Sequence, residues 1–439
     1  MQQVVSNLIY SKARPMVGLR YLLGGIIAFL GFERLRIVIT LLGVSDTYKN
    51  RDTLTYYLMA KAISIGENPY QPVDELGHRF YGISQSMHHP AVSAPFTGIL
   101  SLPLLLFSVD KAFIAWFCFE MICLVLIAIM LPILLTGKVN WLQAIMFWIL
   151  LISWYPVMVE LLLGQLTILL TALLLAALLA WKKDKRILSG VLTGVTIAIK
   201  MYTWPLVLYY AIKKEWKIFI SSCLTIATIN VVALIVIGIG PISDYYLKVT
   251  LQASEIYHSY MRNYSIWSIG YRLFEGTHAA NGDFLSAPPL INKPLIATLI
   301  AAGLALAFLV VGLVWAIRSK DKEIAYSIML CVIVAISPIT WDHYYLMLII
   351  SLVILAHRLH KNSFRQKIAV PFFIVALLLF TLNEYFAPVM IALNGGATLV
   401  EAHGNQITFA SSLLETLPIF ELVFLTVLLQ RAGVPAQKK

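Results

Sequence analysis

Apolar stretches long enough, or nearly long enough, to cross a bilayer recur along the whole 439-residue chain. No other feature restricts the fold so tightly, because backbone inside hydrocarbon must satisfy its own hydrogen bonds. The stretches approach the roughly 20 residues of a membrane-spanning helix. The fold class they predict is an all-α polytopic membrane protein. Composition agrees: 60% of residues are hydrophobic and 13% are charged, against about 25% charged in a soluble protein. With a mean hydropathy of +0.82, a soluble enzyme, a disordered chain and a disulfide scaffold are all excluded. The cysteines, Cys118, Cys123, Cys223 and Cys331, lie in apolar stretches without metal-ligand spacing. They read as small buried hydrophobes.

The net charge of +11 would suggest nucleic acid in a soluble protein, so its placement decides. Crossings fit residues 218–240, 294–316, 324–338, 344–357, 368–387 and 413–430. Segments 213–217, 318–323, 357–367 and 431–439 carry thirteen basic residues between them and fall at every second loop. They are placed in the cytoplasm by the positive-inside rule, and the nucleic-acid reading fails. The alternate loops, 241–293, 338–343 and 388–412, face outward. In the first of these, Lys248, Arg262, Arg272 and Lys293 are balanced by four acidic residues.

The first half reads as a crossing near 15–32, an outside loop at 45–92, and apolar stretches at 94–107, 113–135, 141–158 and 164–181. The run from Trp181 to Arg186 should be cytoplasmic, so one stretch must not cross fully. The short 94–107, with Pro95 and Pro103, is the candidate. Residues 187–212 have basic clusters on both flanks. They are expected to enter and return as a hairpin turning near Lys200–Pro205. The total is about twelve crossings in one integral-membrane domain over 1–439, with both ends inside. Glu33, Arg34 and Arg36 are expected at the outer interface, since each charge at the bilayer centre costs roughly 2.5–3.5 kcal/mol. No run has the pattern of a cleavable signal peptide.

The loop 45–92 is the most informative segment. Leu54, Tyr57, Leu58, Ala62 and Ile65 fall at helical spacing, which predicts an amphipathic helix over 52–66 at the membrane surface. Asp52 at its start is read as a helix N-cap or as a general base, ionised at neutral pH with an ordinary pKa of about 3.9. Lys200, inside an apolar stretch, is either a functional residue or a snorkelling one. The turn Ser337–Tyr345 packs Trp341, Asp342, His343 and two tyrosines between crossings, as an aromatic belt or as chemistry. His88 and His89 on the same side have the same two readings. No zinc spacing, phosphate loop or serine-nucleophile elbow is present.

These clusters, in this order, resemble glycosyltransferase family 87, the polyprenyl-phosphate-mannose-dependent α-mannosyltransferase-like proteins of the GT-C superfamily. The matching residues are Asp52, Tyr56-Tyr57, Ala60 and Gly66 through Tyr70, then His89-Pro90 leading to Pro103-Leu104. Gly164-Gln165, Lys200, Asn263 through Trp267 and the intact turn Ser337 to His343 follow. The family's Tyr and one proline are missing before the Pro-Leu helix, and Met201 replaces the proline after Lys200.

The resemblance implies a GT-C-like bundle with an outward-facing active site and a lipid-phosphate sugar donor. It also implies an acidic base in the first outside loop, which maps onto Asp52, with Asp46 as runner-up. The expected reaction is one inverting displacement that moves a hexose, mannose first, from a polyprenyl-phosphate donor to a lipid or glycan acceptor. Lys200, His343 and Arg34 are expected at the donor phosphate. Tyr56, Tyr57, His88, His89, Gln165, Asn263, Trp341 and Asp342 are expected around the substrates. No nucleotide diphosphate leaves, so no metal or cofactor is called for. The rival class, a transporter or lipid-linked-sugar flippase, predicts internal repeats, and none is visible. A different lipid-carrier transferase would place its largest outside loop late in the chain.

Overall fold

The computed structural model describes residues 24–43, 51–83, 88–278, 285–360, 386–396, 398, 404 and 406–433. The described residues form helices and connecting turns and no β-strand. A helix over 24–42 (α1) is followed by Asp52–Ser64 (α2), Val73–Tyr81 (α3), Pro95–Leu100 (α4) and Val109–Thr136 (α5). Then come Trp141–Ser153 (α6), Tyr155–Leu163 (α7), Thr167–Lys182 (α8), Arg186–Ile199 (α9), Pro205–Ile212 (α10) and Trp216–Ile237 (α11). After the segment that holds Thr250–Tyr257 and Trp267–Phe274, the bundle closes with Pro294–Arg318 (α12), Lys322–Ile336 (α13), Leu348–His360 (α14) and Phe409–Gly433 (α15).

Five helical stretches among the described residues are long and apolar enough to span a membrane: α5, α11, α12, Asp342–Leu359 and α15. A sixth is the pair α6 and α7, bent by 70°. The chain is an integral, multi-pass membrane protein. Among the described residues fewer than the expected twelve crossings are seen, in part for local reasons. The expected crossing at 141–158 breaks at the extended residue Trp154, before Pro156. Proline cannot donate to the preceding turn and clashes with its carbonyl. The stretch 94–107 is a short helix running into a 3₁₀ turn at Leu102–Leu106, as its two prolines require. Most of the crossing expected at 368–387 lies outside the described residues.

Helix α13 is the axis of the bundle. All residues from Ile324 to Ile336 are buried, so it meets protein rather than lipid on every side. The hairpin expected at 187–212 is present: α9 and α10 meet at Lys200–Trp204. Both arms start from one rim, where the basic segments gather. Lys182 pairs with Glu323 at 2.5 Å, Arg358 with Asp321 and Glu323 at 2.8 Å each, and Arg186 with Glu215 at 3.2 Å. Lys213 Nζ donates to the carbonyls of Ile317 and Ser319. Fourteen-residue α9 rises about 1.5 Å per residue, which carries Lys200 roughly 20 Å from that rim.

Two local expectations change. Helix α2 is where its spacing placed it, but Thr53 through Ala60 are all buried, together with Ala62. It is enclosed by protein instead of lying two-faced on a membrane surface. The two-faced helix of this loop is α3, which buries Val73, Leu76 and Gly77 and leaves Glu75, His78 and Arg79 exposed. Helix α1 does not end before Glu33; it continues to residue 42, and Arg36 ion-pairs with Glu33 at 2.8 Å on its exposed surface.

Candidate active site

The site forms where α2, the α7–α8 elbow and the α9–α10 turn meet. Gly164 makes the elbow possible. Its φ is +66°, and a Cβ there would come within 1.8 Å of Thr53 Oγ1, so only glycine suits both the backbone and the space. Thr53 Oγ1 donates to the Gly164 carbonyl at 3.0 Å. Glu160 Oε1 accepts the Ile168 N–H at 3.0 Å and so caps the start of α8. The next residue, Gln165, is thereby aimed at α2.

Gln165 Nε2 donates to Asp52 Oδ2 at 2.6 Å. Its Oε1 accepts from Tyr56 Oη at 2.8 Å and from Lys200 Nζ at 3.0 Å. One amide therefore holds a carboxylate at its nitrogen and an ammonium and a phenol at its oxygen. Asp52 is not the N-cap of α2. That position is Arg51, and no side chain caps the helix. Asp52 is half-buried and its Oδ1 takes no hydrogen bond among the described residues. Burial raises its pKa above the usual carboxylate value, opposed by the Gln165 hydrogen bond and by the charges of Lys200 and His89. Burial also lifts the Tyr56 phenol well above its ordinary range, so it stays a hydrogen-bond donor.

Lys200 closes α9 in an extended conformation, with its ammonium 5.5 Å from the centre of the Tyr344 ring. Tyr344 stacks on Tyr202 at 4.7 Å and meets His343 edge-on at 4.9 Å. His343 is 2% exposed, and neither ring nitrogen has a hydrogen-bond partner among the described residues. On the other side of Asp52, His89 Nδ1 lies 2.8 Å from its neighbour's carbonyl, that of Pro90. That nitrogen carries the proton, and Nε2 lies 2.8 Å from Tyr257 Oη. Tyr257 and Tyr260 pack edge-on against Trp341 at 5.3 and 5.1 Å.

The structure thus brings together Asp52, Tyr56, Gln165, Lys200 and His343, with His89 and Trp341 at the border. Other expected residues sit elsewhere. Tyr57 turns to the Phe107 carbonyl and the Tyr81 ring. His88 is exposed and pairs with Asp74 at 2.7 Å. Arg34 donates to the Ser153 carbonyl, at the far end of α7 from Gln165. Asn263 is fully buried and spends its whole amide on backbone. It accepts from the N–H groups of Ser265 and Thr340 and donates to the carbonyls of Tyr257, His258 and Pro338. It is a clamp that docks the 257–265 segment on the 337–343 turn. Asp342 is buried beside Tyr264, on whose phenol its charge acts. Asp46 lies outside the described residues.

Two acids at the site escaped the sequence reading. Glu120 and Glu160 are buried, 2% and 0% exposed, with Glu160 close enough to Lys200 to feel its charge. Each stands in an apolar surrounding, and the rule that singled out Lys200 applies to them equally. Among the described residues, no group of three or more His, Cys, Asp or Glu side chains is arranged to hold a metal ion.

A family model described as glycosyltransferase family 87 matches residues 94–338. A solved structure, ArnT from Cupriavidus metallidurans bound to undecaprenyl phosphate, is similar over 92% of this chain and 77% of its own, at 12% identity and a TM-score of 0.39. No curated protein matches the sequence.

Proposed function

Because the chain belongs to glycosyltransferase family 87, we propose that it transfers a hexose, mannose first, from a polyprenyl-phosphate sugar to a lipid or glycan acceptor at the outer face of the membrane. Family membership makes the protein a membrane glycosyltransferase and sets the transporter reading aside. The observation that carries the finer reading is the Gln165 amide, which seats a carboxylate and an ammonium at one point, about 20 Å from the basic rim. Inverting transfer needs that pair: a base for the acceptor and a cation for the departing phosphate.

Asp52 takes the proton of the acceptor hydroxyl. The freed oxygen attacks the anomeric carbon, and the bond from that carbon to the phosphate oxygen breaks. The electron pair leaves with the polyprenyl phosphate, whose growing charge Lys200 meets. Burial that lifts the Asp52 pKa makes its carboxylate a stronger base at neutral pH. His343, buried with both ring nitrogens unpartnered among the described residues, lies within the reach of the Lys200 charge and is the second phosphate candidate.

The test incubates purified protein with radiolabelled polyprenyl-phosphate-mannose, -glucose or -arabinose and extracted host lipids. Label should pass from the mannose donor to a lipid or glycan product. Transfer from the glucose or arabinose donor alone would overturn the sugar assignment. Cysteines placed at Glu75 and Lys185, both exposed, test sidedness in intact cells. An impermeant reagent should label only the former, and the reverse pattern would invert the orientation.

A further inference from the structure

We propose that Gln165 is a positioning residue that keeps the Asp52 carboxylate and the Lys200 ammonium from pairing with each other. The inference rests on the reading of Asp52 as base and Lys200 as phosphate partner. Both groups bond to the same amide, Asp52 at Nε2 and Lys200 at Oε1. The nitrogen and oxygen of one amide are only about 2.2 Å apart, so the two charges lie within reach of each other should the amide go. Gln165 is 9% exposed, which leaves little water to separate them. The amide's orientation is fixed by its partners: two donors converge on its oxygen, and a carboxylate, which can only accept when ionised, faces its nitrogen.

The separation has a chemical purpose. An opposite charge within a few ångströms lowers a carboxylate pKa by about 1–3 units. A direct ion pair would weaken the base and occupy the cation that the donor phosphate requires. Through the amide each charge is solvated and neither is consumed.

The surroundings of Asp52 contain the other groups that bear on its titration. His89 acts from the loop after α3, Tyr56 from α2 itself and Tyr344 from the 342–347 turn. Glu160, His343, and Glu120 with Arg51, stand in the next layer. The ionisable residues of α3 are engaged at the surface, Asp74 with His88 and Arg79 with Glu67, and Asp110 and Lys111 of α5 are exposed. None of these bridges Asp52 to Lys200.

The test is the pH dependence of kcat/KM for the full chain with polyprenyl-phosphate-mannose. In Gln165→Leu the ammonium closes on the carboxylate, so the acid limb moves down by about one pH unit or more. Donor KM rises roughly tenfold or more, as expected when a charged hydrogen-bond partner is withdrawn. In Gln165→Glu two carboxylates face each other and share one proton, so the limb moves up. Adding Lys200→Met to Gln165→Leu removes the closing cation and returns the limb above that of Gln165→Leu alone. A limb that stays at the wild-type position in both single variants, with only kcat reduced, makes Gln165 merely structural and overturns the inference. Asp52→Asn separates the two levels. If it keeps wild-type turnover, the base assignment itself fails. If it is inactive while the limb stays fixed in the Gln165 variants, only the present inference fails.

Discussion

At one end of the bundle Lys182, Arg358, Asp321 and Glu323 pair directly with one another, with side chains 15–41% exposed. At the other end Asp52 and Lys200 are held apart by an amide, amid buried Glu120, Glu160 and His343, whose polar atoms are in part unpartnered among the described residues. The rim has settled its charges. The site has left them unsettled, and a buried polar atom without a partner costs about 1–3 kcal/mol. Charge that a fold neutralises holds helices together; charge that it keeps apart remains free for a substrate.

Substitutions that remove charge from the two ends should therefore differ sharply. The largest effect is expected from Asp52→Asn, which preserves size and a hydrogen-bonding side chain but takes no proton. Turnover should fall by roughly 10²–10⁴-fold at normal expression, as measured by transfer of labelled sugar. If turnover is unchanged, and Asp46→Asn abolishes it instead, the base is Asp46.

Next is Lys200→Met, which keeps length and apolarity. Loss of a charged partner for phosphate should cost at least about 2 kcal/mol, read as donor affinity and turnover. Lys200→Arg should recover only part, because the guanidinium fork needs more room than a point charge. The pH profile gives an independent reading. Burial lifts Asp52 while Lys200 holds it down, and activity needs the ionised carboxylate. Activity is thus lost as pH falls through a value above the ordinary carboxylate value of about 3.9, and in Lys200→Met that loss should begin at higher pH. A limb unmoved by Lys200→Met would detach the lysine from the base.

Gly164→Ala is expected to act through geometry alone. It forces a side chain into left-handed backbone and against Thr53 Oγ1, at about 1–3 kcal/mol of strain. Thermal stability should drop and activity should drop further, because Gln165 moves with the elbow. Equal losses in stability and activity would deny the elbow any special place.

The smallest effect belongs to the rim. Lys182→Met breaks a partly exposed ion pair, worth no more than about 1 kcal/mol and screened by salt. Melting should shift slightly, and less at high ionic strength, with turnover near wild type. A large loss of turnover there would erase the distinction between the ends.

Much of this was legible without coordinates where the cause is local. Pro103 sits at the start of a 3₁₀ turn that ends the short 94–107 stretch, and the hairpin turns at Lys200 because basic residues pin both arms to one rim; the break before Pro156 was not read from the sequence. The site was legible only in part. Asp52, Gln165 and Lys200 carried a sequence signal, but so did Tyr57, His88, Arg34 and Asn263, and nothing in their spacing distinguishes them. Adjacent residues diverge: Tyr56 reaches Gln165 while Tyr57 reaches Phe107, and His89 faces Asp52 while His88 pairs with Asp74. Neighbours on a helix point about 100° apart, so being in the right segment does not decide which side chain meets the site.

What the sequence determined by itself was set by quantities that add along the chain. Apolar length dictates a membrane protein, basic clusters gather at one end, and glycine and proline mark the elbows and breaks. Tertiary structure alone decided that Asp52 and Lys200 share one amide, that α2 is buried instead of lying on the surface, and that Asn263 clamps backbone. These depend on which surfaces of distant helices come into contact. A carboxylate at 52, an amide at 165 and an ammonium at 200 become one site only when packing brings them within hydrogen-bond distance.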